Sequence, residues 1–391
     1  MAAEKNNKTL NVPNLRFPEF SGEWEKCTLG SIGETFNGLT GKSAADFGSG
    51  SPYITYKSIF DNSKIDISKV EYVKITETER VKQTQNEVEY GDIFFTTSSE
   101  TPEEVGMASV LLSEIRDCYL NSFCFGYRLF DKCIHQPDFF RFYLRSSNLR
   151  KKIAILAQGS TRFNISKNEV MKMPIFLPSL AEQRKISKIL SLIEDRIETQ
   201  KKIIEKYESL IKGIRCNLLK FDSSVRICKL KDICKITTGK LDANAMEEDG
   251  IYPFFTCAEE PFTINTYAFD TEALLVSGNG ANVGYVNYCN GKFNAYQRTY
   301  VLYDFSVDIH YVRYYMDAFL KQRIDQEKNI GNTPYIVLST LADMKICIPS
   351  PTRQQDICRI IKAIETKLTL EKGLYNSHQQ VKDFLLRTMF I

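Results

Sequence analysis

The chain has 391 residues, of which 43% are hydrophobic, 25% charged and 12% aromatic, and its formal net charge is +3. This composition is typical of a folded protein and excludes a disordered or fibrous chain, while the length favours two or three domains. The weak positive charge excludes binding to nucleic acid by bulk electrostatics alone. Local basic patches or further subunits would have to supply part of such an affinity.

Targeting and metal signals are missing from the sequence. No run of eighteen or more apolar residues occurs, and residues 1–14 lack an apolar signal core, so we expect a cytoplasmic protein. The cysteines form no CxxC pair, and His135, His310 and His378 lie far apart. Because zinc ligands are grouped at short spacing, we expect no metal site and interpret the cysteines as free thiols.

Two stretches of the chain begin alike. Residues 24–38 align with residues 225–239 and share a cysteine, a leucine, an isoleucine and a glycine at matched places. Short apolar runs follow, such as 92–96 (DIFFT) and 273–277 (ALLVS), and their Gly, Ser and Asn boundaries predict strands of a mixed α/β domain. The sequence therefore predicts two domains that are entered in the same way.

A long repeat follows each domain. Residues 177–219 and 348–390 match without a gap, and residue 348 stands 171 positions after residue 177. A shared segment with a glycine, a threonine-bearing loop and an apolar turn leads into each copy, at 158–179 and 330–350. A repeat of this length indicates two copies of one architectural unit.

Apolar residues in both copies recur at alternating spacings of four and three, which predicts a long helix with a heptad seam that pairs with another helix. The predicted seam consists of Ile186, Leu190, Ile193, Ile197, Ile204, Ile211, Ile357, Ile361, Ile364 and Leu368. Both copies are polar at one matched position, Gln200 and Glu371, which would fix the register if the two residues meet. The alternative is an incidental polar position at a solvated spot.

The helix starts are also signalled. Ser179 with Glu182 predicts a capping box, and Pro351 stands at the first helical position of the second copy. If the helices pair along their length they must be antiparallel, because the first leads from domain one to domain two and the second begins at domain two. About 40 residues at 1.5 Å each would then hold the domains at opposite ends of a rod of roughly 60 Å, related by a pseudo-twofold axis.

The predicted fold class is thus α/β (α+β), with two globular domains separated by two long antiparallel helices that form a coiled coil. The predicted parts are an N-terminal segment at 1–23, a first domain at 24–176, a first helix at 177–221, a second domain at 222–347 and a second helix at 348–391.

Motifs of catalysis are not found. The run 277–282 (SGNGAN) lacks the Lys-Ser/Thr ending of a phosphate-binding loop and precedes a predicted strand, so we interpret it as a turn. The sequence has no GxGxxG that opens a helix and no Asn-Pro-Pro-aromatic or Asp-Pro-Pro-aromatic tetrapeptide of an amino-methyltransferase. We therefore expect no catalytic residue in this chain.

Polar clusters in the predicted loops favour recognition instead. Arg, Lys, Asn, Gln, Ser and Thr are the side chains that read base edges and grip phosphates. The candidate DNA-binding residues are Thr55, Tyr56, Lys57, Thr97, Ser98, Ser99, Thr161, Arg162 and Asn164 in the first half, and Thr238, Lys240, Ser277, Asn279, Asn282, Gln297 and Arg298 in the second. An ordinary surface loop is the alternative for any single residue, but recurrence in both halves favours recognition.

Three features together resemble the specificity subunit of type I restriction-modification systems: residues 15–20 (LRFPEF) with Trp24 and Glu25, residues 177–183 (LPSLAEQ), and the domain-helix-domain-helix order. The resemblance covers essentially the whole chain. The second helix departs from it, with Arg353 where the first has Glu182.

The resemblance implies a non-catalytic subunit whose two target-recognition domains each read one half of a split, asymmetric site on double-stranded DNA. It also implies that the helices set the unread spacer and dock two modification methyltransferase subunits, which restriction translocase-nuclease subunits join. In such systems the methyltransferase binds S-adenosylmethionine and the restriction subunit binds ATP with Mg, so no cofactor is expected on this chain. Two other functions remain open: a self-contained DNA methyltransferase or restriction enzyme, and a protein-binding coiled-coil scaffold.

Overall fold

The structure is a computed structural model that describes residues 11–83, 86–218, 225–327 and 335–391. The chain divides into two compact units. Unit 1 comprises Met1–Thr199 and Tyr375–Ile391, and unit 2 comprises Gln200–Leu374. Each unit therefore contains one domain and a part of each long helix.

The strands of unit 1 are short. They are β1 (Glu25–Thr28), β2 (Gly33–Asn37), β3 (Phe47–Ile54), β4 (Glu71–Val73), β5 (Ile93–Thr96), β6 (Ser98–Ser99), β7 (Ala108–Val110), β8 (Tyr119–Leu120), β9 (Cys124–Leu129), β10 (Phe163–Asn164) and β11 (Pro174–Leu177). The helices are α1 (Leu29–Ile32), α2 (Tyr56–Asp61), α3 (Glu77–Gln83), α4 (Pro137–Tyr143), α5 (Ser147–Ile155), α6 (Lys167–Lys172) and the first part of α7 (Leu180–Leu218).

Unit 1 is built on an antiparallel sheet of four strands in the order β2-β9-β5-β7, beside a three-stranded sheet in the order β4-β3-β8. The central strand β5 is buried along its whole length. Ile93 and Phe95 join one hydrophobic cluster and Phe94 joins another, because alternate side chains of a strand point to opposite faces. Burial of both faces explains the continuous apolar run that predicted this strand.

Unit 2 uses longer strands. They are β12 (Arg226–Lys229), β13 (Lys235–Thr238), β14 (Tyr252–Phe255), β15 (Phe262–Ile264), β16 (Phe269–Ser277), β17 (Val286–Ala295), β18 (Thr299–Tyr303) and β19 (Lys345–Ile348). The helices are the rest of α7, then α8 (Ile309–Glu327), α9 (Leu338–Ala342) and α10 (Pro351–Thr388), whose last turns belong to unit 1.

The sheet of unit 2 has the strand order β13-β18-β16-β17-β14-β15, and only β14 and β17 pair in parallel. On β16, Leu274 and Val276 join the cluster beneath α8, whereas Ala273 and Leu275 join a cluster on the other face. Central strands with two buried faces thus occur in both domains. The predicted strands at 92–96 and 273–277 and the mixed α/β class are confirmed.

Each domain begins and ends on one strand pair. β1 pairs with β11 just before α7, and β12 pairs with β19 just before α10, both antiparallel. The similarity of residues 24–38 to residues 225–239 therefore reflects a common way of closing each domain at the start of a long helix. The predicted boundary between 221 and 222 lies outside the described residues.

The long helices pack against each other within each unit. In unit 1, Ile186 and Leu190 of α7 share a hydrophobic cluster with Leu385 and Met389 of α10. Lys382 Nζ donates to Glu194 Oε1 at 2.6 Å. Positions early in α7 thus meet positions late in α10, so the two segments are antiparallel.

In unit 2 the two matched polar residues meet. Gln200 Nε2 donates to Glu371 Oε2 at 2.5 Å and to the Glu371 carbonyl at 3.1 Å. Further along α7, Ile214 packs against the cluster that holds Ile357 and Ile361, which again makes the segments antiparallel. None of the ten predicted seam residues is exposed.

The two helix starts differ from the prediction in one respect. Pro351 opens α10 as expected, and Ser179 Oγ accepts from the Glu182 N–H at 3.4 Å. The Glu182 carboxylate, however, accepts hydrogen bonds from Arg16 and Trp24 instead of reaching back to Ser179. The capping box is therefore wrong in its second half, because a partly buried ion pair with Arg16 takes the carboxylate. Among the described residues, no helix is both long and apolar enough to cross a lipid bilayer.

Candidate nucleic-acid interface

Three segments of unit 1 are tied together where β5 ends and β9 begins. Thr97 donates from its N–H (3.0 Å) and from Oγ1 (2.7 Å) to the Phe123 carbonyl. The Ile165 N–H donates in turn to the Thr97 carbonyl at 2.9 Å. The turn before β9 and the loop before α6 are therefore fixed to the end of the central strand.

This arrangement brings the three candidate clusters of the first half together. In the β6–β10 pair, Ser98 lies opposite Asn164 and Ser99 opposite Phe163. The Tyr56 hydroxyl donates to the Ser98 carbonyl at 2.7 Å. Burial raises the pKa of Tyr56, so this phenol stays protonated as a donor at neutral pH.

Exposure separates the candidates of unit 1 into three groups. Four are exposed: Lys57, Thr161, Arg162 and Asn164. Three are half-buried: Thr55, Tyr56 and Thr97. Thr55 Oγ1 accepts from the Ser58 N–H and so caps α2. Ser98 and Ser99 are only 5% and 6% exposed, and Ser99 Oγ donates to Glu104. Little of either serine side chain is therefore open to a ligand, and their role as base contacts stays a prediction.

Unit 2 repeats the same connections with different side chains. The Gly278 N–H donates to the Arg298 carbonyl at 2.9 Å, and the Ile336 N–H donates to the Gly278 carbonyl at 2.9 Å. Asn279 bridges to Tyr335 in antiparallel fashion. The bonds match those of unit 1, so Gly278 corresponds to Thr97, Arg298 to Phe123 and Ile336 to Ile165.

Further bonds gather the candidates of unit 2. Gln297 Nε2 donates to Asp242 Oδ1 at 2.6 Å. Asn282 Nδ2 donates to the Cys257 carbonyl at 3.2 Å, and Cys257 Sγ donates to Asn279 Oδ1 at 3.0 Å. Loops that are distant in sequence thus form one surface at the end of β16.

The candidates of unit 2 also differ in exposure. Lys240, Gln297 and Arg298 are exposed, whereas Thr238, Asn279 and Asn282 are half-buried. Ser277 is only 1% exposed at the last position of β16. Little of its side chain is open to a ligand, so its role as a contact stays a prediction.

The shared glycine of each domain is required by a close approach. A Cβ atom on Gly38 would collide with the Asn121 carbonyl, and a Cβ atom on Gly239 would collide with the Ala295 carbonyl. Neither position has room for a side chain. Because glycine has none, the chain after β2 can lie directly beside the turn that precedes β9, and the chain after β13 beside the turn that precedes β18. This shared element of the sequence therefore forms part of the candidate interface.

Sequence reasoning missed two exposed aromatic residues of this candidate interface. Phe123 is 62% exposed in unit 1, and Tyr335 is 60% exposed in unit 2. The sequence could have indicated Tyr335, because this residue stands 171 positions after Asn164 and so occupies the same place in the second copy of the repeat. The sequence held no such signal for Phe123, since its match with Arg298 is defined only by the backbone bonds. The counterparts of residues 161–163, at 332–334, lie outside the described residues.

A polar cavity of about 380 Å³ opens beside Thr97 in unit 1. Its lining includes Asn37, Ser122 and Lys167, and Lys167 Nζ donates to Asn37 Oδ1 at 2.8 Å. Within the described ranges, no group of three or more His, Cys, Asp or Glu side chains is placed to hold a metal ion. The polar groups here are amides, hydroxyls and a lysine, which are donors for phosphates and bases.

The structure thus defines a class of proteins with two domains, each closed onto a long helix and each with exposed basic and amide side chains on its loops. The family model of the type I restriction modification DNA specificity domain matches residues 21–209 and 223–378. The chain belongs to this family.

A curated relative agrees with this assignment. The chain is 38% identical over 159 residues to the type I restriction enzyme EcoDI specificity subunit of Escherichia coli, a match that covers 41% of this chain. The same match covers 34% of the EcoDI subunit, so the chain spans about a third of the length of that curated relative.

Solved structures show the same fold. The S subunit of a type I restriction-modification system from M. genitalium has a TM-score of 0.64 at 17% identity, covering 97% of this chain and 99% of that chain. A chain of a type I R-M system, solved to explain complex assembly and conformational transition, has a TM-score of 0.58 at 16% identity and covers 93% of this chain and 96% of that chain.

Proposed function

We propose that this chain is the DNA sequence-specificity subunit of a type I restriction-modification complex and that it catalyses no reaction itself. Each unit reads one half of a bipartite site on double-stranded DNA through the loops at the end of its central strand. The two halves differ in sequence, because the two loop surfaces carry different side chains.

One observation carries this proposal: the two units fix their loops by the same backbone bonds but present different residues on them. In unit 1 the connected positions are Thr97 and Phe123, and in unit 2 they are Gly278 and Arg298. A constant frame with variable side chains is what recognition of two different sequences needs, because base identity is read by side chains in the groove.

The exposed lysines support a contact with DNA. Lys57 lies on α2 of unit 1 and Lys240 follows β13 of unit 2, and both are exposed at the loop surface. Lysines at such places contact phosphates and position a protein on the duplex. With a net charge of +3, these local cations matter more than the overall charge.

The length of the two long helices supports a role in spacing the two half-sites. α7 has 39 residues and α10 has 38, so the two helices are roughly 57 to 59 Å long at 1.5 Å per residue. We propose that these helices set the length of the unread spacer and dock two modification methyltransferase subunits, with restriction translocase-nuclease subunits joining the complex. S-adenosylmethionine, ATP and Mg then bind to the partner subunits and not to this chain.

DNA selection tests the proposal. The full chain, combined with methyltransferase subunits of a type I system, is used to select duplexes from a randomised pool. We expect one asymmetric sequence of two specified blocks with an unspecified spacer. Selection of no sequence, or of one continuous block, would count against bipartite reading. A radiolabelled methyl-transfer assay on the chain alone should give no product, which separates a specificity subunit from a self-contained methyltransferase.

The salt dependence of DNA binding then tests whether the two loop surfaces contact phosphates. Lys57→Ala and Lys240→Ala should each weaken binding of the selected duplex and reduce the slope of log affinity against log salt by about 1. Lys26→Ala on β1 and Arg226→Ala on β12 are matched controls, because both residues are exposed on the strand pairs beside the long helices. A scaffold without DNA contacts would show no difference between the variants and their controls.

A further inference from the structure

Phe123 is an exposed aromatic residue on a backbone that is held rigidly. Its N–H donates to Asn121 Oδ1 at 2.7 Å, and its carbonyl accepts from both the N–H and Oγ1 of Thr97. The side chain nevertheless remains 62% exposed. The fold thus fixes this residue in place and points a large apolar group at solvent, although the neighbouring turn residues are polar.

Arg298 occupies the matched place in unit 2. Its carbonyl accepts from the Gly278 N–H at 2.9 Å and from Cys257 Sγ at 3.7 Å. Its guanidinium has no hydrogen-bond or ion-pair partner among the described residues, whereas the adjacent Gln297 side chain is engaged by Asp242. The turn therefore presents an exposed guanidinium.

We propose that this turn position sets the identity of one base pair in each half-site: Phe123 reads a thymine through its 5-methyl group, and Arg298 reads a guanine through N7 and O6. The proposal rests on the proposed function, because it requires that each loop surface meets a DNA half-site in the major groove. It goes further by naming the residue and the base at one position of each half.

The chemistry of the two side chains determines the two bases. A guanidinium forms two parallel hydrogen bonds with the two acceptors of guanine, and no other base offers that pair in the major groove. A phenyl ring can donate no such bond, but it contacts the thymine methyl, which is the apolar group of the major groove. One position of a common frame thereby reads guanine in one half and thymine in the other.

The thymine contact is tested by removing one methyl group. Each thymine of the selected half-site of unit 1 is replaced in turn by uracil, and binding of the full chain with methyltransferase subunits is measured. We expect one replacement to weaken binding by about fourfold, which corresponds to about 0.8 kcal/mol for one buried methyl-sized group. With Phe123→Ala the same replacement should have no effect, because the contact is already absent.

Phe130→Ala is the matched control. Phe130 is 64% exposed and follows the other end of β9, so it resembles Phe123 in type and exposure but lies away from the loop surface. Phe130→Ala should keep the full uracil effect. An unchanged uracil effect in Phe123→Ala, or no thymine of the half-site that responds, would overturn the assignment of Phe123.

The guanine contact is tested with 7-deazaguanine, which lacks the N7 acceptor. One guanine of the half-site of unit 2 should be sensitive to this replacement in the wild-type chain and insensitive in Arg298→Ala. Arg298→Ala should also lose roughly 5- to 150-fold in preference for guanine at that position, as expected for one bidentate contact. Arg226→Ala should retain it.

The outcomes separate this inference from the proposed function. If the wild-type chain selects a bipartite site but Phe123→Ala and Arg298→Ala keep all base preferences, the inference is wrong and the proposed function stands. If the wild-type chain selects no site under any salt condition, the proposed function itself fails. A general loss of binding without a change in base preference would also overturn the inference, because it would mark both residues as contacts to the DNA backbone.

Discussion

The starts of the two long helices share one anchoring residue and differ at the position before it. Gln183 and Gln354 are both buried, and each donates from Nε2 to the carbonyl of the proline five residues before it at 2.9 Å. Each also accepts from the N–H of the residue that precedes a domain helix, Gln136 before α4 and Asp308 before α8. Equivalent glutamines thus connect each long helix to its domain by the same hydrogen bonds.

The preceding position differs completely. Glu182 is 1% exposed and accepts from Nε and Nη2 of Arg16, both at 2.8 Å, and from Trp24 Nε1 at 3.3 Å. Arg353 in the second copy is exposed. The glutamine is therefore the part of the anchor that both copies need, whereas the ion pair ties the segment around Arg16 to α7 in unit 1 alone.

The largest effect is expected from breaking this ion pair. Glu182→Ala leaves the guanidinium of Arg16, whose side chain is only 16% exposed, without its carboxylate and should lower the free energy of unfolding by about 3 kcal/mol. Trp24, the single tryptophan of the chain, lies in unit 1, so its fluorescence during denaturant unfolding reports this loss.

Arg353→Ala is the corresponding change in the second copy. It should alter the free energy of unfolding by less than about 0.5 kcal/mol, because an exposed side chain is removed. Calorimetry of Glu182→Ala and Arg353→Ala compares the two changes in the free energy of unfolding. Equal destabilisation by the two substitutions would show that the two helix starts do not differ in the way the contacts indicate.

A smaller effect, similar in both units, is expected from the shared glutamine. Gln183→Ala and Gln354→Ala each remove partners from a backbone N–H and a carbonyl and should each cost about 1 to 3 kcal/mol. Hydrogen exchange should accelerate at the amide of Gln136 in the first variant and at the amide of Asp308 in the second. Protection that persists at either amide would contradict a common anchor.

The smallest effect concerns the helix contact of unit 2. Hydrogen bonds from Lys367 and Gln200 hold the pKa of Glu371 below its usual value. The stabilisation by this carboxylate is therefore fully present above the ordinary glutamate pKa and is lost as the pH falls through the lowered one. Glu371→Gln should remove this pH dependence of amide protection near Gln200. An unchanged pH profile would show that other groups cause the pH dependence of amide protection near Gln200.

Periodicity in the sequence predicted the long helices because a seam of apolar residues at heptad spacing has few other solutions. The buried strands at 92–96 and 273–277 were predictable for a related reason, since both faces are covered. The site was only partly predictable. Ser98, Ser99 and Ser277 have the polar composition of a recognition loop, but they lie in strands where their side chains are almost fully buried. Phe123 could not be found, because its match with Arg298 is defined by backbone bonds that carry no sequence signal.

The most direct test of the central claim exchanges residues 24–176 for the corresponding domain of a relative with a different DNA target. Methylome sequencing of cells that carry the complete system then compares the modified sites of the parent and the chimera. If each unit reads its own half-site, one half of the methylated sequence changes and the half read by unit 2 stays the same. A change in both halves, or in neither, would contradict independent reading by the two units.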